Sequence, residues 1–171
     1  MNEPHRTPVG SHYVTQALAR QAVGLVSPMI EALMHDRSIV GSGFLYLVVM
    51  NPGMPAGSVP FDEAVLYEHA FGDRDAWDAD YAAFARAKAL LSWRSGRDGH
   101  EMQQLYPQLL RPHDTVLTGG VCIDGIVVGA SGAFPVYDEM FAGTVAVCLR
   151  ALARQARLAE AAGVSLDVPR E

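Results

Sequence analysis

Residues 119–132 read GGVCIDGIVVGASG and contain the strongest indication of the fold. Two β-prone runs, 120–123 and 126–130, flank Asp124-Gly125, a dipeptide that tolerates the positive φ angles of a type I′ turn. The pattern predicts a β-hairpin, and a hairpin requires antiparallel pairing of its strands.

Helical and strand-like patterns lie on both sides of this hairpin. Apolar spacing and turn residues predict helices over 15–36, 78–93 and 137–161, a helical turn near 101–105, and strands over 44–50 and 63–71. Pro28 is expected either to kink the first helix or to divide it in two. This order of elements predicts a single α+β domain, with helices packed on a mainly antiparallel sheet.

Composition limits the class of protein further. The chain has 171 residues, of which 50% are hydrophobic and 19% are charged. Such a balance provides a sizeable core and excludes a disordered protein. The formal net charge is −6, so the chain lacks the basic surface that nucleic acid attracts, and we expect no nucleic-acid partner.

The N-terminal sequence and the cysteines indicate a cellular compartment. The N-terminus MNEPHRTPVG has no apolar segment of the signal-peptide type, and no stretch approaches the ~20 apolar residues that span a membrane. Cys122 and Cys148 form neither a disulfide framework nor a zinc-like spacing. We therefore expect a cytoplasmic protein without a membrane partner.

The domain boundaries follow from the ends of the periodic patterns. Residues 1–14 and 163–171 lack a periodic pattern and are expected to be a flexible tail at each end. The folded domain is expected to span residues 15–162.

The hairpin sequence resembles a known family. Residues 119–125 and 128–132, followed by Asp138, are similar to the signature of the GlcG/HbpS family, and the upstream segments 74–76 and 87–89 resemble two shorter motifs of that family. Cys122 stands where the family usually has proline. The chain is identified as a divergent member on these motifs.

The resemblance implies a profilin-like domain that self-associates, and some members of the family bind haem. Others form the C-terminal domain of cobalamin adenosyltransferase-like proteins. The resemblance therefore implies a homo-oligomeric protein that binds a small molecule, either haem or another anionic compound. The ligand-binding residues it suggests, around the hairpin and the start of the last helix, are Asp75, Lys88, Gly119, Gly120, Ser131, Gly132 and Asp138.

Each of these residues also has an ordinary structural interpretation. The glycines suit turn and bulge geometry as well as close approach to a ligand. Lys88 lies on the predicted inner stripe of its helix, where it needs a partner such as Asp75 or Asp138, and a salt bridge explains it as well as a ligand site does.

The alternative function is that of a small-molecule enzyme. Lys88, Cys122 or Asp138 would then carry out proton transfer, hydration or addition–elimination on an organic acid. No histidine pair has a metal-binding spacing, so no metal site is predicted. A haem needs only one axial ligand, and His69, His100 and Cys122 are the candidates for that ligand.

Overall fold

Four antiparallel strands form the sheet in a computed structural model that describes residues 10–160. The strands are β1 (Leu45–Met50), β2 (Val65–Phe71), β3 (Gly120–Ile123) and β4 (Ile126–Ser131). They lie in the order β2-β1-β4-β3, and every pairing is antiparallel. β2 and β3 are therefore the opposite edges of the sheet, with β1 and β4 at its centre.

Within residues 10–160, five α-helices pack around this sheet. They are α1 (Gln16–Leu33), α2 (Phe61–Ala64), α3 (Tyr81–Ser95), α4 (Gly99–Gln104) and α5 (Pro135–Glu160). α1 and α5 pack on the face that carries Leu47 and Val49. α3 packs on the other face, which carries Val48. The predicted single α+β domain is confirmed, and β1 is buried throughout because helices cover both of its faces.

The hairpin and its turn agree with the sequence prediction. β3 pairs with β4 from Gly120 opposite Gly129 to Ile123 opposite Ile126. Asp124 and Gly125 have φ angles of 51° and 81°, as a type I′ turn requires.

Several predicted boundaries were wrong. Residues 63 and 64 belong to the short helix α2, which Pro60 precedes, and β2 begins only at Val65. Ser131, expected in a loop, is the last residue of β4. Of the two outcomes expected at Pro28, only division of the helix is excluded: α1 continues through this residue, so the missing proline N–H removes one hydrogen bond but does not end the helix.

The segment just before α1 is in contact with the domain. Val14, placed in a tail by the sequence pattern, is only 6% exposed and packs in the core. The amide of Ser11 donates to Asn51 Oδ1 at 3.0 Å. The rest of the expected tails, residues 1–9 and 163–171, lies outside the described residues. Within 10–160, no helix is long and apolar enough to cross a membrane.

Candidate functional site

A buried ion pair joins α3 to α5 at the end of β4. Lys88 and Asp138 are 2% and 1% exposed, and Lys88 Nζ donates to Asp138 Oδ2 at 2.6 Å. The same ammonium donates to the Ala130 carbonyl at 3.0 Å and to Ser131 Oγ at 3.3 Å. All three N–H donors of the lysine therefore have acceptors, which is the condition for burying an ammonium. Of the two carboxylates considered from the sequence, Asp138 is the partner of Lys88.

Burial dominates the protonation of Asp138. It raises the pKa of this carboxyl from 3.8 to about 6, although the Lys88 ammonium and the amides of Ala133 and Gly132 act in the opposite direction. Asp138 Oδ1 accepts from the Ala133 amide at 2.9 Å. The carboxylate is thus held from both sides, in the first turn of α5, where the helix dipole favours a negative charge.

The hairpin glycines make room for the protein's own atoms. A Cβ on Gly119, whose φ is 125°, would lie 2.7 Å from the Asp138 Cβ and 2.8 Å from the Ala130 carbonyl oxygen. A Cβ on Gly120 would collide with the Lys88 carbonyl and lie 2.6 Å from Ser92 Oγ. Gly132, with φ 136°, packs against the Phe44 carbonyl. These glycines allow α3 and the start of β1 to approach the hairpin closely.

Asp75 is not part of this arrangement. It is exposed in a 3-10 helix, Arg74–Ala76, and its amide donates to Asp73 Oδ1 at 3.0 Å. The acceptors of Lys88 all come from β4 and α5. The predicted set of ligand residues therefore separates into a buried group around Lys88 and one exposed aspartate.

Cys122 is a half-buried thiol rather than an activated one. Burial raises the pKa of Cys122, and the carboxylates of Asp98, Asp124 and Glu101 raise it further. A hydrogen bond from the backbone of Gly125 acts in the opposite direction without cancelling these effects. The thiol is the stable form at neutral pH, which disfavours a nucleophilic or ligating thiolate.

The three candidates for a haem ligand lie at different places. His69 is on β2 opposite Leu47, so its side chain lies on the face covered by α1 and α5. Cys122 is on β3 opposite Val127, which packs on the α3 face. These two residues therefore occupy opposite edges and opposite faces of the sheet. His100 lies on α4, and its Nδ1 is 2.7 Å from Glu139 Oε1 on α5.

His69 borders a groove between the end of α1 and β2. The groove has a volume of about 290 Å³ and is lined by Glu31, Met34, His35, His69, Ala70, Phe71 and Gly72. His69 Nδ1 lies 3.2 Å from the Tyr67 hydroxyl. Burial lowers the pKa of His69; Glu31 opposes this effect and Arg20 adds to it. The imidazole is therefore neutral at pH 7, which is its metal-binding form.

Sequence reasoning identified His69 but missed its neighbours in the groove. His35 and Met34 follow the end of α1, and only the packing of that helix beside β2 brings them close to His69. The helical spacing of 15–36 indicated an inward stripe but not which strand the end of the helix would face. A larger cavity of about 420 Å³ lies at the far end of α1. Its histidine, His12, is already 3.2 Å from Glu160 Oε1.

The antiparallel sheet, its two helical layers and the type I′ hairpin define a single-domain α+β protein. Among solved structures, the chain is similar to protein ORFY of Klebsiella pneumoniae, a DUF336 protein, with a TM-score of 0.53 and 18% sequence identity. The similarity covers 88% of this chain and 97% of the other. DUF336 is the GlcG-like family, so the expected link is supported at the level of the fold. No protein-family model and no curated protein matches the sequence.

Proposed function

We propose that the protein binds a small molecule in the groove between α1 and β2, and that this ligand is haem. The observation that carries the proposal is His69, a neutral imidazole at the edge of a groove that contains a second histidine and a methionine. Histidine and methionine side chains are the usual axial ligands of haem iron in proteins. Bound haem would give the protein a redox-active iron centre.

The surroundings of His69 suit a ligating role. The hydroxyl of Tyr67 lies 3.2 Å from Nδ1, which leaves Nε2 as the nitrogen for iron. A hydrogen bond to the second nitrogen is the arrangement that orients most metal-binding histidines. Phe71 packs edge-on to the imidazole, with 4.7 Å between ring centroids, and limits its rotation. The groove volume of about 290 Å³ suits one edge of a porphyrin rather than the whole ring.

Two arginines lie near the groove and complement an anionic ligand. The Arg20 guanidinium is 5.7 Å from the centre of the Tyr67 ring. Arg37 is two residues from His35, which lines the groove, and its Nη1 donates to the Gly41 carbonyl at 2.8 Å. These cations favour carboxylate groups such as haem propionates, whereas Glu31 in the lining opposes them.

The alternative function, an enzyme using Lys88 and Asp138, has less support. These side chains are 2% and 1% exposed, and the donors of Lys88 are fully paired within the protein. A substrate would have to displace these contacts before it reached either group. Their arrangement is better explained as a structural connection between α3, β4 and α5.

An absorbance titration with haemin tests the proposal. Untagged wild-type protein should show a saturable one-to-one shift of the Soret band, and His69→Ala should abolish that shift. His113→Ala, which removes an exposed histidine in the connection before β3, is the matched control and should bind as wild type does. Loss of the shift in His100→Ala or Cys122→Ala instead, or no saturable binding by wild type, would overturn the proposal.

A further inference from the structure

A second group of ligating side chains lies at the β3 edge of the sheet. Asp98, His100 and Glu139 each present one ligating atom, and these atoms all lie within 4.8 Å of one another. We propose that they bind a divalent transition-metal ion. This site lies at the opposite edge of the sheet from the His69 groove, so the inference does not depend on haem binding.

The fold holds the three side chains in place from three elements. Asp98 is the N-cap residue of α4, but its side chain makes no capping hydrogen bond; its Oδ1 accepts from the Cys122 amide on β3 at 2.7 Å. His100 is the second residue of α4, and Glu139 is the fifth residue of α5. Asp138, the neighbour of Glu139 in the chain, is fixed by Lys88.

The contact between His100 and Glu139 places two metal-ligating atoms side by side. Nδ1 and Oε1 are 2.7 Å apart, yet the buried Nδ1 has no partner in hydrogen-bonding geometry among the described residues. Two lone pairs at this distance need a positive charge between them, which either a proton on Nδ1 or a bound metal ion supplies. A metal ion bound by both atoms provides that charge without requiring an aligned N–H.

The donor set selects the kind of metal. One imidazole nitrogen and two carboxylate oxygens suit Zn²⁺, Mn²⁺ or Fe²⁺, whereas Ca²⁺ and Mg²⁺ prefer oxygen ligands alone. Three protein ligands leave coordination positions open for water or for a small anion.

Competition between the protein and a chromophoric zinc chelator tests the site. Untagged wild-type protein should take up one equivalent of Zn²⁺, and Asp98→Asn and Glu139→Gln should each weaken binding by at least about tenfold. Asp98→Asn keeps an oxygen that can accept from the Cys122 amide, so it should preserve the fold. Glu101→Gln removes an acid from the same helix but not from the cluster, and it should bind Zn²⁺ as wild type does.

Substitution with Co²⁺ provides a second readout that depends on the ligands. Wild type should show a d–d absorption band of a mixed nitrogen and oxygen site, and His100→Ala should lose it. Circular dichroism of each variant would confirm that the fold is retained. The proposal would be overturned if wild type bound no Zn²⁺ at micromolar concentrations. The proposal would also be overturned if Glu101→Gln lost as much Zn²⁺ affinity as the cluster variants, or if His113→Ala lost Zn²⁺ binding. Either result would assign the binding to other groups.

Discussion

Lys88 Nζ on α3 lies 2.6 Å from Asp138 Oδ2 on α5, although 50 residues separate the two in the chain. The lysine also donates a hydrogen bond to the Ala130 carbonyl near the end of β4. The pair therefore connects helices of the two opposite layers to a central strand of the sheet. Because both charges are buried, removal of either one leaves the other without its partner.

Lys88→Met should therefore destabilise the protein strongly. At pH 8, where the Asp138 carboxyl is ionised, we expect the free energy of unfolding to fall by about 3–5 kcal/mol. Urea unfolding followed by circular dichroism would measure the change. The double variant Lys88→Met/Asp138→Asn should lose much less stability than the sum of the losses in the two single variants. Additive losses would mean that the two residues do not stabilise each other.

The raised pKa of Asp138 fixes the direction of a pH effect. The folded protein binds the Asp138 proton more tightly than the unfolded chain does. The contribution of this proton to the free energy of unfolding is therefore complete below pH ~4 and is lost as the pH rises through about 6. Unfolding should be measured for wild type and Asp138→Asn between pH 4 and 7. The stability of wild type relative to the variant should fall across this range, by up to about 3 kcal/mol. A relative gain in stability would contradict the raised pKa.

Gly120→Ala tests the close approach of α3 to the hairpin. The added Cβ would collide with the Lys88 carbonyl, and we expect overpacking to cost about 1–3 kcal/mol of stability. Gly143→Ala on α5 is the matched control, because a Cβ there meets nothing within 4 Å. That variant should gain about 0.5–1 kcal/mol from helix propensity. Thermal unfolding would measure the stability of both variants. If Gly120→Ala were as stable as wild type, α3 would be able to move away from β3.

The Cys122 thiol should react slowly at neutral pH. Its pKa is raised above the usual value by burial and by nearby carboxylates, so little thiolate is present at pH 7. A Cys148→Ala variant leaves Cys122 as the sole cysteine, and its alkylation by iodoacetamide can be followed against pH. The rate should still be rising at pH 9. A plateau below pH 8 would indicate an activated thiolate and would support the enzyme hypothesis.

Local sequence patterns predicted the hairpin because its turn is determined by two adjacent residues. Asp124-Gly125 adopts the positive φ angles that this dipeptide favours, and the strands on either side follow from it. The strand predicted over 63–71 was partly wrong, because residues 63 and 64 form a helical turn after Pro60. Short segments of this kind depend on neighbouring packing more than on propensity.

The candidate sites depend on contacts that no local pattern encodes. A lysine on an inner helical stripe indicated a buried partner, but the choice between Asp75 and Asp138 required the path of the chain. The proximity of His35 to His69 likewise depends on where the end of α1 lies beside β2. Single residues could therefore be proposed from the sequence, whereas their grouping into sites could not.

The most direct test of ligand binding in the α1–β2 groove is an NMR titration with gallium protoporphyrin, a diamagnetic analogue of haem. Amide signals of His35, His69 and Gly72 should shift in ¹H–¹⁵N spectra and saturate at one equivalent. Signals of Gly119 and Gly120, at the start of the hairpin, should remain unchanged. Saturable shifts confined to these hairpin glycines, or no saturable shifts at all, would contradict the assignment of the groove as the ligand site.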